Sequence, residues 1–132
     1  MEKNSHTTVS AQRAPISDAL LADRTLYVSG QIALDAQGNL VGHHDAQSQA
    51  AQCFDNLHQI LQRAGMTLQD VVMLRCYLVT SDAYQGYASV KRRLFGDNPP
   101  PGTAVIVAGL LVPGALLEIE AVAVRTSNEP GN

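Results

Sequence analysis

Two amphipathic helical segments interleaved with short apolar strands predict an α+β layer fold, a mixed β-sheet carrying both helices on one face. Three observations carry that prediction. A single apolar stripe at helical spacing runs through residues 45–64, a hydrophobic, β-branched run occupies Val71–Val79, and paired strand signals with turn residues stand toward both ends of the chain. The predicted order is β-β-α-β-α-β-β, with a hairpin at each end. At 132 residues this is one domain, large enough for one core. Residues 1–13 and 127–132 are polar and unpatterned and are expected to be flexible tails around a domain at 14–126.

The elements follow in order. Ser17–Leu21 and Thr25–Ser29 flank a turn at Ala22–Asp23–Arg24, which predicts a hairpin, and Gly38–Asn39 marks a further turn. Between Asp45 and Ala64 the apolar residues fall at Ala46, Ala50, Cys53, Phe54, Leu57, Ile60, Leu61 and Ala64, and Gly65 supplies the stop. Val71–Val79, interrupted by Arg75, reads as a mostly buried strand. Ser81 or Asp82 can cap a second helix that places Tyr84, Tyr87, Ala88, Leu94 and Phe95 on one side and closes at Gly96. Pro99–Pro100–Pro101 forbids helix continuation. Strands at Thr103–Ala108 and Ala115–Val124 then pair through Gly109 and Pro113–Gly114. One sheet face is left to be wet or covered by copies of the chain.

Composition excludes several functions. A net charge of -3 with 45% hydrophobic residues describes a folded domain without the basic patch of a nucleic-acid-binding surface. Lys91–Arg92–Arg93 reads as a solvated helix face. Cys53 and Cys76 are too few and too far apart for a zinc or redox motif and suit a reducing compartment. No stretch matches a signal peptide or membrane span, so a soluble, cytoplasmic protein is expected, without nucleic-acid or membrane partners. His43–His44 lacks partners at ligand spacing, and no phosphate-binding or dinucleotide motif occurs. No metal and no cofactor are predicted.

Glu118 and Glu120 are the residues most suggestive of chemistry. Two carboxylates two positions apart on a strand share one face. Edge-strand acids would discourage aggregation, but this strand is apolar on both sides of them through Val124, as a central strand would be. A carboxylate in a partly dry cleft can act as a general base toward water, and Glu118 is assigned that role. Ser29–Gly30–Gln31 ends a strand, where sites gather.

Five short segments in order resemble the Rid (YjgF) family of reactive enamine/imine deaminases, often labelled endoribonuclease L-PSP. They are Ala14-Pro15-Ile16-Ser17-Asp18-Ala19, Tyr27-Val28-Ser29-Gly30-Gln31, Gln49-Ala50-Ala51-Gln52-Cys53-Phe54-Asp55-Asn56-Leu57, Thr103-Ala104-Val105, and Pro113-Gly114-Ala115-Leu116 leading to Glu118-Ile119-Glu120-Ala121-Val122-Ala123. The resemblance implies a chorismate-mutase-like (bacillus-type) fold. It also implies a homotrimer whose three sheets form a central barrel, with a small-molecule substrate in clefts between subunits. In deaminase members an arginine binds the imino-acid carboxylate and a downstream glutamate positions the attacking water. The glutamate corresponds to Glu118, and the Ser29–Gly30–Gln31 turn is intact. At the arginine's place stands Gly102, before Thr103. Ile16 replaces a tyrosine, and Ala88 replaces an asparagine.

A guanidinium gives a carboxylate two charge-assisted hydrogen bonds that glycine cannot supply. Their loss costs about 2–3 kcal/mol, about a hundredfold in affinity. The expectation is therefore a Rid-like hydrolase acting on a C–N bond of an enamine or imine other than a small 2-imino acid. Glu118 would activate water, Ser29 and Gln31 would shape the pocket, and the space at Gly102 would admit a larger group. Arg75 or Lys91 could replace the missing cation; Arg75 could instead pair with Glu118 or Glu120 across the sheet. A catalytically silent trimer that binds a metabolite or protein is the alternative. A ribonuclease comes third, opposed by the acidic net charge.

Overall fold

The computed structural model describes residues 6–9 and 17–125. Strands His6–Val9 (β1), Ala19–Ala22 (β2), Thr25–Gln31 (β3), Val71–Leu78 (β4), Gly102–Ile106 (β5) and Leu117–Val124 (β6) form one sheet. Helices Ala46–Arg63 (α1) and Ala83–Phe95 (α2) pack together on one of its faces. The predicted elements and layering are present, with two differences in the sheet.

First, β1 lies within the segment expected to be a tail, pairing antiparallel with β2 from His6 opposite Ala22 to Val9 opposite Ala19. His-Thr-Thr-Val carries almost no apolar pattern, and the strand is held by backbone pairing along the free edge of β2. Second, β5 and β6 form no hairpin. The sheet order is β1-β2-β3-β6-β4-β5, so the last strand inserts between β3 and β4 while β5 runs parallel to β4 at the edge. The reason lies in burial. In β6, Leu117, Ile119, Ala121 and Ala123 are fully or almost fully buried, whereas every residue of β5 is exposed. The most apolar strand takes the centre, where both of its edges find partners.

The helices obey their local signals. Asp45 caps α1, accepting from the Gln47 and Ser48 amides at 3.1 and 3.2 Å. The hydrogen bond from the Ser48 hydroxyl is the main cause that holds its carboxyl below the usual range. Gly65 ends the helix with φ at +73°, a conformation that costs glycine little. The buried stripe is Ala50, Cys53, Phe54, Leu57, Ile60 and Leu61, each large side chain contributing about 1.5–3 kcal/mol on burial. In α2 the buried residues are Ala83, Tyr87 and Val90, with Leu94 and Phe95 partly buried against the same core, whereas Tyr84, expected on that face, is 46% exposed. Asp82 occupies the N-cap position without a side-chain cap bond. Phe54 stacks on Tyr87 with ring centroids 5.9 Å apart. Cys53 and Cys76 are unpaired and buried, and burial pushes the Cys76 thiol up to about 12.

Candidate functional site on the open sheet face

Alternation along β6 turns Leu117, Ile119, Ala121 and Ala123 toward the helices and Glu118 and Glu120 toward the uncovered face. Register brings Tyr77 opposite Glu118 and Arg75 opposite Glu120. On the other side, the β3–β6 ladder shifts register between Val28 and Gln31, placing Gly30 beside Glu118. A Cβ at Gly30 would lie 1.9 Å from Glu118 Oε2, so the missing side chain is the space that the carboxylate occupies. Gly30, Tyr77, Glu118 and Glu120, with Val107 and Leu110 from the loop after β5, line an open depression of about 260 Å³. A neighbouring hollow of about 350 Å³ is lined by Ser17, Tyr27 and Ser29 and shares Glu120.

Electrostatics distinguish the two acids. Burial, and secondarily the charge of Glu120, pushes the Glu118 carboxyl above its ordinary value. Glu118 lines the depression, and no hydrogen bond to its carboxyl is made among the described residues. Glu120 is engaged on both sides: the Tyr77 hydroxyl donates to its Oε1, and Arg75 Nη1 stands 3.9 Å from the same oxygen. The bond to Glu120 is the first cause that raises the Tyr77 phenol. A half-buried carboxylate with no donor of its own, next to room for a small molecule, can hold a water and take its proton.

The residues singled out in the sequence separate into groups. Glu118 and Gly30 meet. Ser29 borders the neighbouring hollow, its hydroxyl donating to the Ser17 carbonyl at 2.6 Å. Gln31 is buried and donates to the Ser29 carbonyl at 3.0 Å, bracing the turn rather than lining the depression. Thr103 shares a face with Arg75, its register partner, but lies across β4 from Glu118. Gly102 opens no space for a larger group, because a Cβ there would fall 2.0 Å from the Leu74 carbonyl oxygen and only glycine lets β5 approach so closely. Ala88 belongs to α2, in the layer on the far side of the sheet. Lys91 also lies in that layer, its Nζ 5.7 Å from the centroid of the Tyr87 ring. Arg75 makes the cross-sheet pair, with Glu120. Ile16 lies outside the described residues. Sequence reasoning missed Tyr77, although its place two residues after Arg75 on one strand put both on the same face.

A mixed sheet with two helices on one face and a carboxylate site on the other defines a two-layer α+β protein of the chorismate-mutase-like type. The known proteins it resembles agree. The family model described as Endoribonuclease L-PSP matches residues 7–125. A RutC family protein of Sulfurisphaera tokodaii is 37% identical over 105 residues, 80% of this chain and 83% of that one. The human 2-iminobutanoate/2-iminopropanoate deaminase is 37% identical over 112 residues, covering 84% and 80%. Among solved structures, RidA from an Antarctic Psychrobacter superposes with a TM-score of 0.80 at 28% identity, covering 93% of this chain and all of the other. The YjgF gene product of E. coli gives 0.80 at 26% identity over 94% and 99%. The chain belongs to the endoribonuclease L-PSP (YjgF/RutC) family.

Proposed function

We propose that this protein is an atypical Rid-family hydrolase that deaminates a reactive enamine or imine other than a small 2-imino acid. The observation that carries the reading is Glu118, a half-buried carboxylate with a raised pKa, seated in the notch left by Gly30 and facing an open depression. Relatives named as imine deaminases support the reaction class. In the reaction Glu118 takes a proton from water as the oxygen adds to the imine carbon. The proton passes to nitrogen, and the carbinolamine collapses to a carbonyl compound and ammonia. Water and imine are consumed one for one. Two features argue against small imino acids: Gly102 offers no cation, and Arg75 is engaged by Glu120.

The same reading places the site in a cleft completed by a second copy of the chain, within a homotrimer. Val105 and Ile106 on β5 are 42% and 61% exposed and Leu111 is 94% exposed, apolar surface that a neighbouring copy would cover.

Ammonia release, measured over a panel of imines generated in situ, tests the activity. On a substrate that is turned over, Glu118→Gln should lower kcat by about 10²–10⁴-fold, the usual worth of a general base. Unchanged turnover in Glu118→Gln removes Glu118 from the mechanism. Ammonia release by no imine, with small molecules still bound, favours a silent binding protein.

A further inference from the structure

The helix layer carries a second cavity, of about 280 Å³, on the far side of the sheet from Glu118. Phe54, Asp55 and His58 contribute to it from α1, where spacings of three and four residues put His58 on one face with the other two. Arg93 and Leu94 reach it from the last turn of α2, and Leu68 from the single helical turn at Leu68–Asp70. Every residue lining it is helical, so packing between elements rather than a loop sets its walls. Phe54 is held in turn by aromatic neighbours, its ring centroid 6.1 Å from that of Phe95. The cavity is complete within one chain: none of its residues belongs to the sheet, whose open face and β5 edge are the surfaces assigned above to neighbouring copies.

Two polar groups at this cavity are left unused by the fold. His58 Nδ1 is buried and has no hydrogen-bond partner among the described residues. Buried polar atoms are nearly always paired, so this one calls for a partner from outside the chain. Arg93 makes no hydrogen bond or ion pair among the described residues. It does not pair with Asp55 on the same cavity, whose Oδ2 instead receives the Gln59 side-chain amide at 2.8 Å. An imidazole and a guanidinium from two helices, beside the apolar surface of Phe54, Leu68 and Leu94, match a carboxylate joined to an apolar body.

We infer that the α1–α2 cavity is a second ligand site, which binds a small monocarboxylate with an apolar body. Arg93 and the N–H of His58 Nδ1 take the carboxylate, and Phe54, Leu68 and Leu94 take the body. Asp55 opposes the anion and limits the affinity. The site shares no residue with the Glu118 depression and stands whether or not the protein deaminates imines.

The test titrates hexanoate and hexylammonium, one body under opposite charges, into the intact protein. The backbone amide resonances of Phe54 and Leu94 report on this cavity, and those of Gly30 and Glu118 on the other. Hexanoate should shift the first pair saturably and bind at least tenfold more tightly than hexylammonium. Acetate, which lacks the body, should bind at least tenfold more weakly than hexanoate. Arg93→Gln should weaken hexanoate binding tenfold or more, and His58→Phe, which fills the same space without a nitrogen, threefold or more. Asp55→Asn should strengthen it. Arg93 and Asp55 are exposed, so their variants keep the test open should His58→Phe fail to fold. No saturable shift at Phe54 and Leu94 up to about 10 mM hexanoate overturns the inference. Equal binding of the two charges, or an affinity that neither Arg93→Gln nor Asp55→Asn moves, does the same. Shifts confined to Gly30 and Glu118 would put the ligand in the other cavity and also overturn it.

Discussion

The closest contact around Glu118 is with the position of an atom that is absent. Because a Cβ on Gly30 would lie 1.9 Å from Oε2 and 2.7 Å from Cδ, Gly30→Ala must move the carboxylate rather than the backbone. The far end of a glutamate swings easily, so stability should change little. Displacement of a catalytic atom by about 1 Å can cost about a hundredfold in rate. Gly30→Ala should therefore lower kcat/KM by tenfold or more at nearly unchanged urea midpoint; a parallel loss of both would mean that the notch serves folding alone.

Glu118 also makes a pH prediction. Its folded pKa is raised by burial and by Glu120, so the fold favours the protonated form. Its contribution to stability is present below the unfolded value near 4.5 and is lost as the pH rises through the higher folded value. Turnover has the opposite sign, because a base must be ionised. The acid limb of kcat against pH should lie above 4.5 and move downward in Glu120→Gln, where the neighbouring negative charge is gone. An acid limb that stays in place in that variant excludes coupling between the two acids.

At the scale of elements, close approaches between backbones decide which local rules hold. Gly86 lies inside α2, where alanine would gain about 1 kcal/mol in helix propensity. A Cβ there, however, would stand 2.5 Å from the Gln47 amide nitrogen and 2.8 Å from the Ala46 carbonyl carbon, main-chain atoms of the first turn of α1. Overpacking against backbone costs about 1–3 kcal/mol, which exceeds the propensity gain. Gly86→Ala should thus destabilise the protein in urea unfolding; stabilisation would show that the two helices separate freely. Gln49 joins elements by another route. Fully buried, it donates to the Gly42 and Gly114 carbonyls at 3.1 Å each and accepts from the Leu116 amide at 2.8 Å, tying the loops before α1 and β6 together. Each of those groups would be left unpaired in an apolar replacement.

Across the whole molecule, the helices cover one sheet face while the other presents Glu118, Tyr77 and the exposed Tyr27 to its surroundings, with apolar β5 at the edge. If that edge and face meet other copies, a charge placed there should dissolve the assembly. Ile106→Glu is expected to shift the sedimentation mass from a trimer toward the 14.1 kDa chain and to lower turnover with it. A variant that remains a trimer would place the contact elsewhere.

The helix at 46–63 and its Gly65 stop, the strand around Arg75, the first hairpin and the motifs that mark the family were legible in order along the chain. All depend on residues within a few positions of one another, through spacing, capping and turn chemistry. The strand partners were not legible. The turn signals between Ile106 and Leu117 suggested a hairpin, yet burial sent β6 to the centre of the sheet and left β5 at its edge. That choice set Tyr77 and Arg75 against the two acids, seated Glu118 in the space at Gly30 and pressed Gly102 against Leu74. Local sequence determined which elements form and that Glu118 and Glu120 share a face. Tertiary structure alone decided what those carboxylates meet, because contacts between distant residues follow from competition among strands for the buried centre, which no local spacing records.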